Sequence, residues 1–147
     1  MEKIRFTTSI HAPKEKIWEV LWNENSYRDW TRVFAEGSTV KTDNWKEGSK
    51  VLFLDGEGRG MVSRVVANRP NEYMSFEHLG EVAGGVEDTV SEKIKEWKGA
   101  HENYTLEEAG KDTELTVEID MVESHKDYFM KTWPKAMEKL KELAEKN

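Results

Sequence analysis

The sequence predicts an α+β domain in which a curved antiparallel sheet of six or seven strands wraps around one long C-terminal helix, with two short helices after the first strand. Three observations carry this expectation. Through the middle of the chain, segments in which apolar and polar residues alternate are separated by turn-forming residues, as in strands that are wet on one face. From Ser124 to Lys146 the apolar residues fall instead at Phe129, Trp133, Ala136, Met137, Leu140, Leu143 and Ala144, which is one face of a helix, and charged residues occupy the other. Pro13, followed by Glu15, is a start signal for a helix directly after the first strand. A sheet with one apolar face and a helix with one apolar stripe each need a partner, and a sheet curved around the helix supplies both.

Taken in order, Ile4, Phe6 and Ile10 alternate with polar neighbours in the first strand and face inward. The helix begun at Pro13 buries Ile17, Val20 and Leu21 with Trp18 beside them, and Asn23 to Asn25 ends it. A second short helix, Tyr27 to Thr31, brings Tyr27 and Trp30 to one side. Strands are expected over Glu36–Thr42, Lys50–Leu54, Arg59–Ala67 and Tyr73–Leu79, joined by a turn carrying Trp45 and Gly48, by Asp55-Gly56-Glu57-Gly58, and by Asn68-Arg69-Pro70-Asn71. Gly80 to Glu96 interrupts the pattern and holds a short helix capped by Ser91; a connection of this length is more often functional than a plain link. Two further strands, Gly99–Glu107 and Thr113–Glu123, precede the long helix, where Ser124 and Asp127 resemble a capping box. Pro134 has no N–H to give residue 130 and is expected to kink the helix or to begin a second segment at Trp133.

Composition narrows the function. A chain of 147 residues fits a single domain over residues 1–147 and can bury a substantial core, to which six Trp and five Phe contribute bulk. Without cysteine there is neither a disulfide framework nor a thiolate nucleophile. A net charge of −7 with interspersed signs disfavours nucleic acid and anionic membrane surfaces. The N-terminus lacks the apolar run of a signal peptide and no stretch is apolar enough to span a bilayer, so a cytoplasmic location is expected.

Three stretches resemble a known family. Ile10-His11-Ala12-Pro13-Lys14-Glu15-Lys16-Ile17-Trp18 is similar to its strand-to-helix entry; Trp45 and Gly48 precede a hairpin from Gly60 to His78; and Trp133, Met137, Leu140 and Leu143 resemble its terminal helix. The chain is identified on these residues as a member of the SRPBCC or START-like superfamily, the helix-grip fold shared with birch-pollen allergens and polyketide cyclases, in the branch named for the activator of the heat-shock-protein ATPase. Thr132 stands where relatives often carry Gly, and His78 where they often carry Trp. The resemblance implies a cavity between sheet and helix; it leaves the function open, because the superfamily holds carriers, cyclases, hydrolases and co-chaperones.

The residues expected to line that cavity are Phe53, Met74, Phe76, Tyr104, Val117, Ile119, Phe129, Trp133 and Met137, although the same spacings suit an ordinary filled core. Period two from Met74 and Phe76 turns His78 inward, and from Tyr104 and Leu106 it turns Glu102 inward, so the two are candidates for an acid/base or ligand-orienting pair, or for a purely structural one. The four histidines show no metal-ligand spacing, Gly56, Gly58 and Gly60 lack the residues of a phosphate loop, and no serine sits in a nucleophile elbow. Neither a metal nor a cofactor is expected. The leading expectation is a domain that encloses a small apolar or aromatic molecule, with a weak homodimer left open. The alternatives are a cyclase- or hydrolase-like enzyme using His78 and Glu102, and a co-chaperone-like interaction module, for which Trp22, Tyr27 and Trp30 would offer an aromatic patch if exposed, although such aromatics more often seal the end of the cavity.

Overall fold

A computed structural model describes residues 1–146. The elements run β1 (Glu2–Ile10), α1 (Lys14–Trp22), α2 (Glu24–Trp30), β2 (Thr39–Thr42), β3 (Lys50–Leu54), β4 (Arg59–Arg69), β5 (Tyr73–Ala83), β6 (Val86–Asp88), a 3-10 turn at Glu92–Ile94, β7 (His101–Ala109), β8 (Asp112–Met121) and α3 (Glu123–Glu145). The strands form one antiparallel sheet in the order β1-β8-β7-β5-β4-β3-β2, with β6 added beside β5. This is the helix-grip α+β arrangement expected from the sequence, with eight strands rather than six or seven. The extra strand is β6, only three residues long, which leaves too little alternation to be read.

Asn23 makes the sharp passage from α1 to α2. Its N–H closes the last turn of α1 on the Glu19 carbonyl at 2.9 Å, and its side-chain oxygen accepts the Asn25 N–H at 3.0 Å, capping α2. The Trp30 indole N–H then donates back to the Leu21 carbonyl at 3.3 Å, which locks the two helices together. Tyr27 and Trp30 are thereby buried, as is Trp22, at 8%, 1% and 8% exposure. The exposed aromatic patch open to these three residues does not form, because α2 turns its aromatic side under α3.

Sheet curvature has local causes. The β4–β5 register shifts between Val62 and Ser63 and again between Val65 and Ala67, and such irregularities sharpen the twist. Gly80 permits the tight return of β6: a Cβ there would lie 2.0 Å from the Asp88 carbonyl oxygen. Ser91 does not cap the turn that follows; its hydroxyl donates to Asp88 instead, at 2.5 Å.

The long helix departs from expectation at two points. It begins at Glu123, and the N-cap residue Val122 makes no side-chain cap bond, so the expected Ser124/Asp127 capping box is not used. It also continues unbroken through Pro134. The carbonyl that Pro134 leaves without a partner belongs to Met130, and both residues are exposed, so solvent is positioned to satisfy it. The Thr132 hydroxyl donates to the Tyr128 carbonyl at 2.7 Å, adding a bond in the turn before the proline. Among the described residues no helix is long and apolar enough to cross a membrane.

The two halves of α3 are held differently. Ala136, Met137, Leu140 and Ala144 are buried in the common core, and the small alanines permit close approach. Glu145 at the C-terminal end accepts the His11 backbone N–H at 2.8 Å, pinning the helix where β1 ends. Replacing Leu140, 1% exposed, by Ala is therefore expected to cost about 2–5 kcal/mol in urea unfolding. A loss below about 1 kcal/mol would contradict a packed C-terminal half.

Candidate functional site

Over the N-terminal half of α3 the packing opens. A cavity of about 630 Å³ lies there, within the range of small-molecule sites. The helix contributes Val122, His125, Tyr128, Phe129 and Trp133 to its wall, and none of the residues from Ala136 onward. Tyr27, Trp30 and Phe34 close one side, and Phe53, Met61, Val82, Ile119 and Met121 from the sheet form much of the floor. The Tyr128 hydroxyl donates to the Phe34 carbonyl at 3.0 Å and ties the helix to the α2–β2 loop at this end.

Of the residues the sequence proposes for the wall, Phe53, His78, Glu102, Tyr104, Ile119, Phe129 and Trp133 are on it. Met74, Phe76, Val117 and Met137 are not; they are fully packed core. The reason is α1. Trp22 sets its ring edge-on to Phe76 at 5.4 Å and to Tyr104 at 4.9 Å, filling the space above this part of the sheet. Met137 belongs to the tightly packed half of α3. Tyr27 and Trp30 take the alternative place at the end of the cavity, and Trp97 is a wall residue that no sequence pattern assigns.

A connected cluster of polar side chains is set into this wall. His78 lies on β5 and Glu102 on β7, both turned inward with their period-two neighbours. His78 Nε2 stands 3.1 Å from Glu102 Oε1, the Tyr104 hydroxyl donates to Glu102 Oε2, and Ser63 Oγ is 2.6 Å from His78 Nδ1. With Glu102 as a carboxylate accepting from both sides, His78 Nε2 carries a hydrogen, and Nδ1 shares a hydrogen bond with the Ser63 hydroxyl, which can donate or accept. No sequence pattern announced Ser63, because the β4 bulge beside it disturbs the alternation from which facing is read. A serine, a histidine and an acid in hydrogen-bond order invite comparison with a nucleophilic triad. Ser63 has 0% exposure and is not on the cavity wall, so its hydroxyl orients the imidazole and reaches no substrate.

The electrostatics of the cluster follow from burial. Both Tyr104 and Tyr27 are raised well above the ordinary phenol range, first by burial and then by the negative charge of Glu102. They therefore remain hydrogen-bond donors through the neutral range. The other carboxylates on the wall each have a cation: Asp55 with Arg59 at 3.5 Å, Glu81 with Lys93 at 3.1 Å, and Asp120 with Lys3 at 3.3 Å. Glu102 has no Lys or Arg partner among the described residues, and its side chain is only 15% exposed. Nor do three or more acidic or histidine side chains converge anywhere among those residues to hold a metal ion.

Comparison with known proteins now adds the family. The family described as activator of Hsp90 ATPase homolog 1-like protein matches residues 11–145. The chain belongs to this family. Solved structures agree on the fold of this activator-like chain. A protein of Mesorhizobium loti superposes with a TM-score of 0.70 at 19% identity, covering 97% of this chain and 96% of that one. The Aha1 dimer of Colwellia psychrerythraea gives 0.70 at 19% identity, with 99% and 97% covered. CalU16 of Micromonospora echinospora gives 0.66 at 17% identity, with 97% and 75% covered. No curated protein matches the activator-like chain.

The raised phenols have a measurable consequence. A group whose folded pKa is raised contributes stability that is whole below its unfolded value and declines as pH climbs above it, here above about pH 10. Urea midpoints measured from pH 8 to 11 are expected to fall in that window, and Tyr104→Phe is expected to make the fall shallower. An unchanged slope in the variant would mean that Tyr104 ionises as freely folded as unfolded.

Proposed function

We propose that this activator-like domain binds a small, largely apolar molecule in the cavity beneath the N-terminal half of α3. The observation that carries the reading is the cavity itself: about 630 Å³, walled mainly by aromatic and aliphatic side chains, with the buried cluster around Glu102 to orient what enters. Binding of an apolar molecule there would offset the contacts that the N-terminal half of α3 lacks. An acid/base role for His78 and Glu102 has the required separation, 3.1 Å. Its support is thinner, because the two groups engage each other and the wall offers no nucleophile beside them. The co-chaperone-like alternative loses the surface it was built on, since Trp22, Tyr27 and Trp30 are buried.

The test uses the neutral dye Nile red. Trp30, Trp97 and Trp133 all line the cavity, so saturable quenching of tryptophan emission with a matching rise in dye emission is expected. Ile119→Trp, which adds bulk to the floor, should abolish dye binding while leaving the far-UV spectrum intact. Absence of saturable binding, or full binding to the filled variant, would count decisively against the cavity as the site.

A further inference from the structure

We propose that the molecule held in this cavity presents a cationic N–H donor, such as a protonated amine, to the Glu102 carboxylate. The inference rests on the binding reading above and names the chemistry that site selects. Four carboxylate residues reach the wall, and Asp55, Glu81 and Asp120 are each already paired with an arginine or lysine. Glu102 is the one with neither, and its side chain is the least exposed of the four. Its partners are His78 Nε2 and the Tyr104 hydroxyl, one on each oxygen, which leaves further acceptor positions on both oxygens. A carboxylate taken out of water beside an imidazole and a phenol, with neither arginine nor lysine to meet it, is costly, and a cation that enters with the ligand would recover part of that cost in a medium of low dielectric constant.

The surroundings favour the same partner. Tyr27, Trp30 and Trp133 present rings on the same wall, and aromatic faces attract a desolvated cation. An anionic ligand meets the opposite case. Arg59 is the one arginine on the wall, and it is engaged by Asp55 and Glu57, while no lysine lines the cavity. A ligand carboxylate would therefore be brought beside Glu102 with no free arginine or lysine on the wall to meet it. A neutral hydroxyl could donate to Glu102 but would leave the charge uncompensated.

Three compounds sharing one ring system separate these cases: 1-naphthylmethylamine, 1-naphthalenemethanol and 1-naphthoate, each measured by displacement of Nile red at neutral pH. The wild-type chain is expected to bind the amine about ten-fold or more tighter than the alcohol, with the naphthoate weakest, as a charge-assisted bond in a buried site implies. Glu102→Gln should bring amine and alcohol to similar affinity. Glu81→Gln, which removes a rim carboxylate and the same unit of net charge, should leave the preference in place. Should Glu102→Gln fail to fold by near-UV circular dichroism, the wild-type order of amine, alcohol and naphthoate still decides the inference. Equal affinities in the wild type, a tighter naphthoate, a preference that survives in folded Glu102→Gln, or one lost in Glu81→Gln would each overturn the inference. Displaceable dye without an amine preference would defeat this inference alone, whereas failure of the dye and all three compounds to bind would defeat the cavity reading with it.

Discussion

The structure depends on how α3 meets the sheet. A long helix laid across a curved sheet is in close contact over part of its length only, and the sequence of α3 decides which part. Alanines at 136 and 144, with Met137 and Leu140 between them, let the C-terminal half sit down in the core. The N-terminal half carries larger side chains, and Phe129 and Trp133 stand over open space without filling it. Two backbone-directed bonds, His11 to Glu145 and Tyr128 to Phe34, hold the ends at these different depths. The cavity is thus a consequence of packing and does not require a special motif.

Within that cavity the side-chain cluster around Glu102 is the exception to an apolar rule. A buried carboxylate persists only when its surroundings compensate it, and here compensation comes from an imidazole and a phenol that are themselves fixed by the sheet. Ser63 stands behind His78 and keeps the ring turned toward Glu102. The arrangement is rigid because each member sits on a strand, and it is placed where an entering molecule would meet it. Placing such a group in a core has an energetic cost that hydrophobic residues of similar volume would avoid.

Much of the fold was legible in the sequence because the two periods involved are strong. The alternation through β5, β7 and β8 fixed which residues face inward, so His78 and Glu102 could be placed on the concave side before any coordinates. The stripe on α3 was equally plain. What could not be read was depth: Phe76 and Phe129 both face inward, yet Trp22 from α1 covers the first while the second borders the cavity. That distinction depends on how α1 and α2 dock, a tertiary fact with no local signature. The bulge beside Ser63 and the short strand β6 were hidden for the opposite reason, since each breaks or shortens the very alternation used for reading. At Pro134 the helix does not start a second segment, because the exposed position lets water satisfy the carbonyl that the proline leaves free.

The claim that α3 is packed along one half and poised over a binding site along the other can be measured directly by following backbone amide resonances during a titration with 1-naphthylmethylamine. The account expects saturable shifts at Val122 to Trp133, at His78, Glu102 and Tyr104, and little change from Ala136 to Ala144. Shifts spread over the exposed charged face of α3, or concentrated in its C-terminal half, would contradict it.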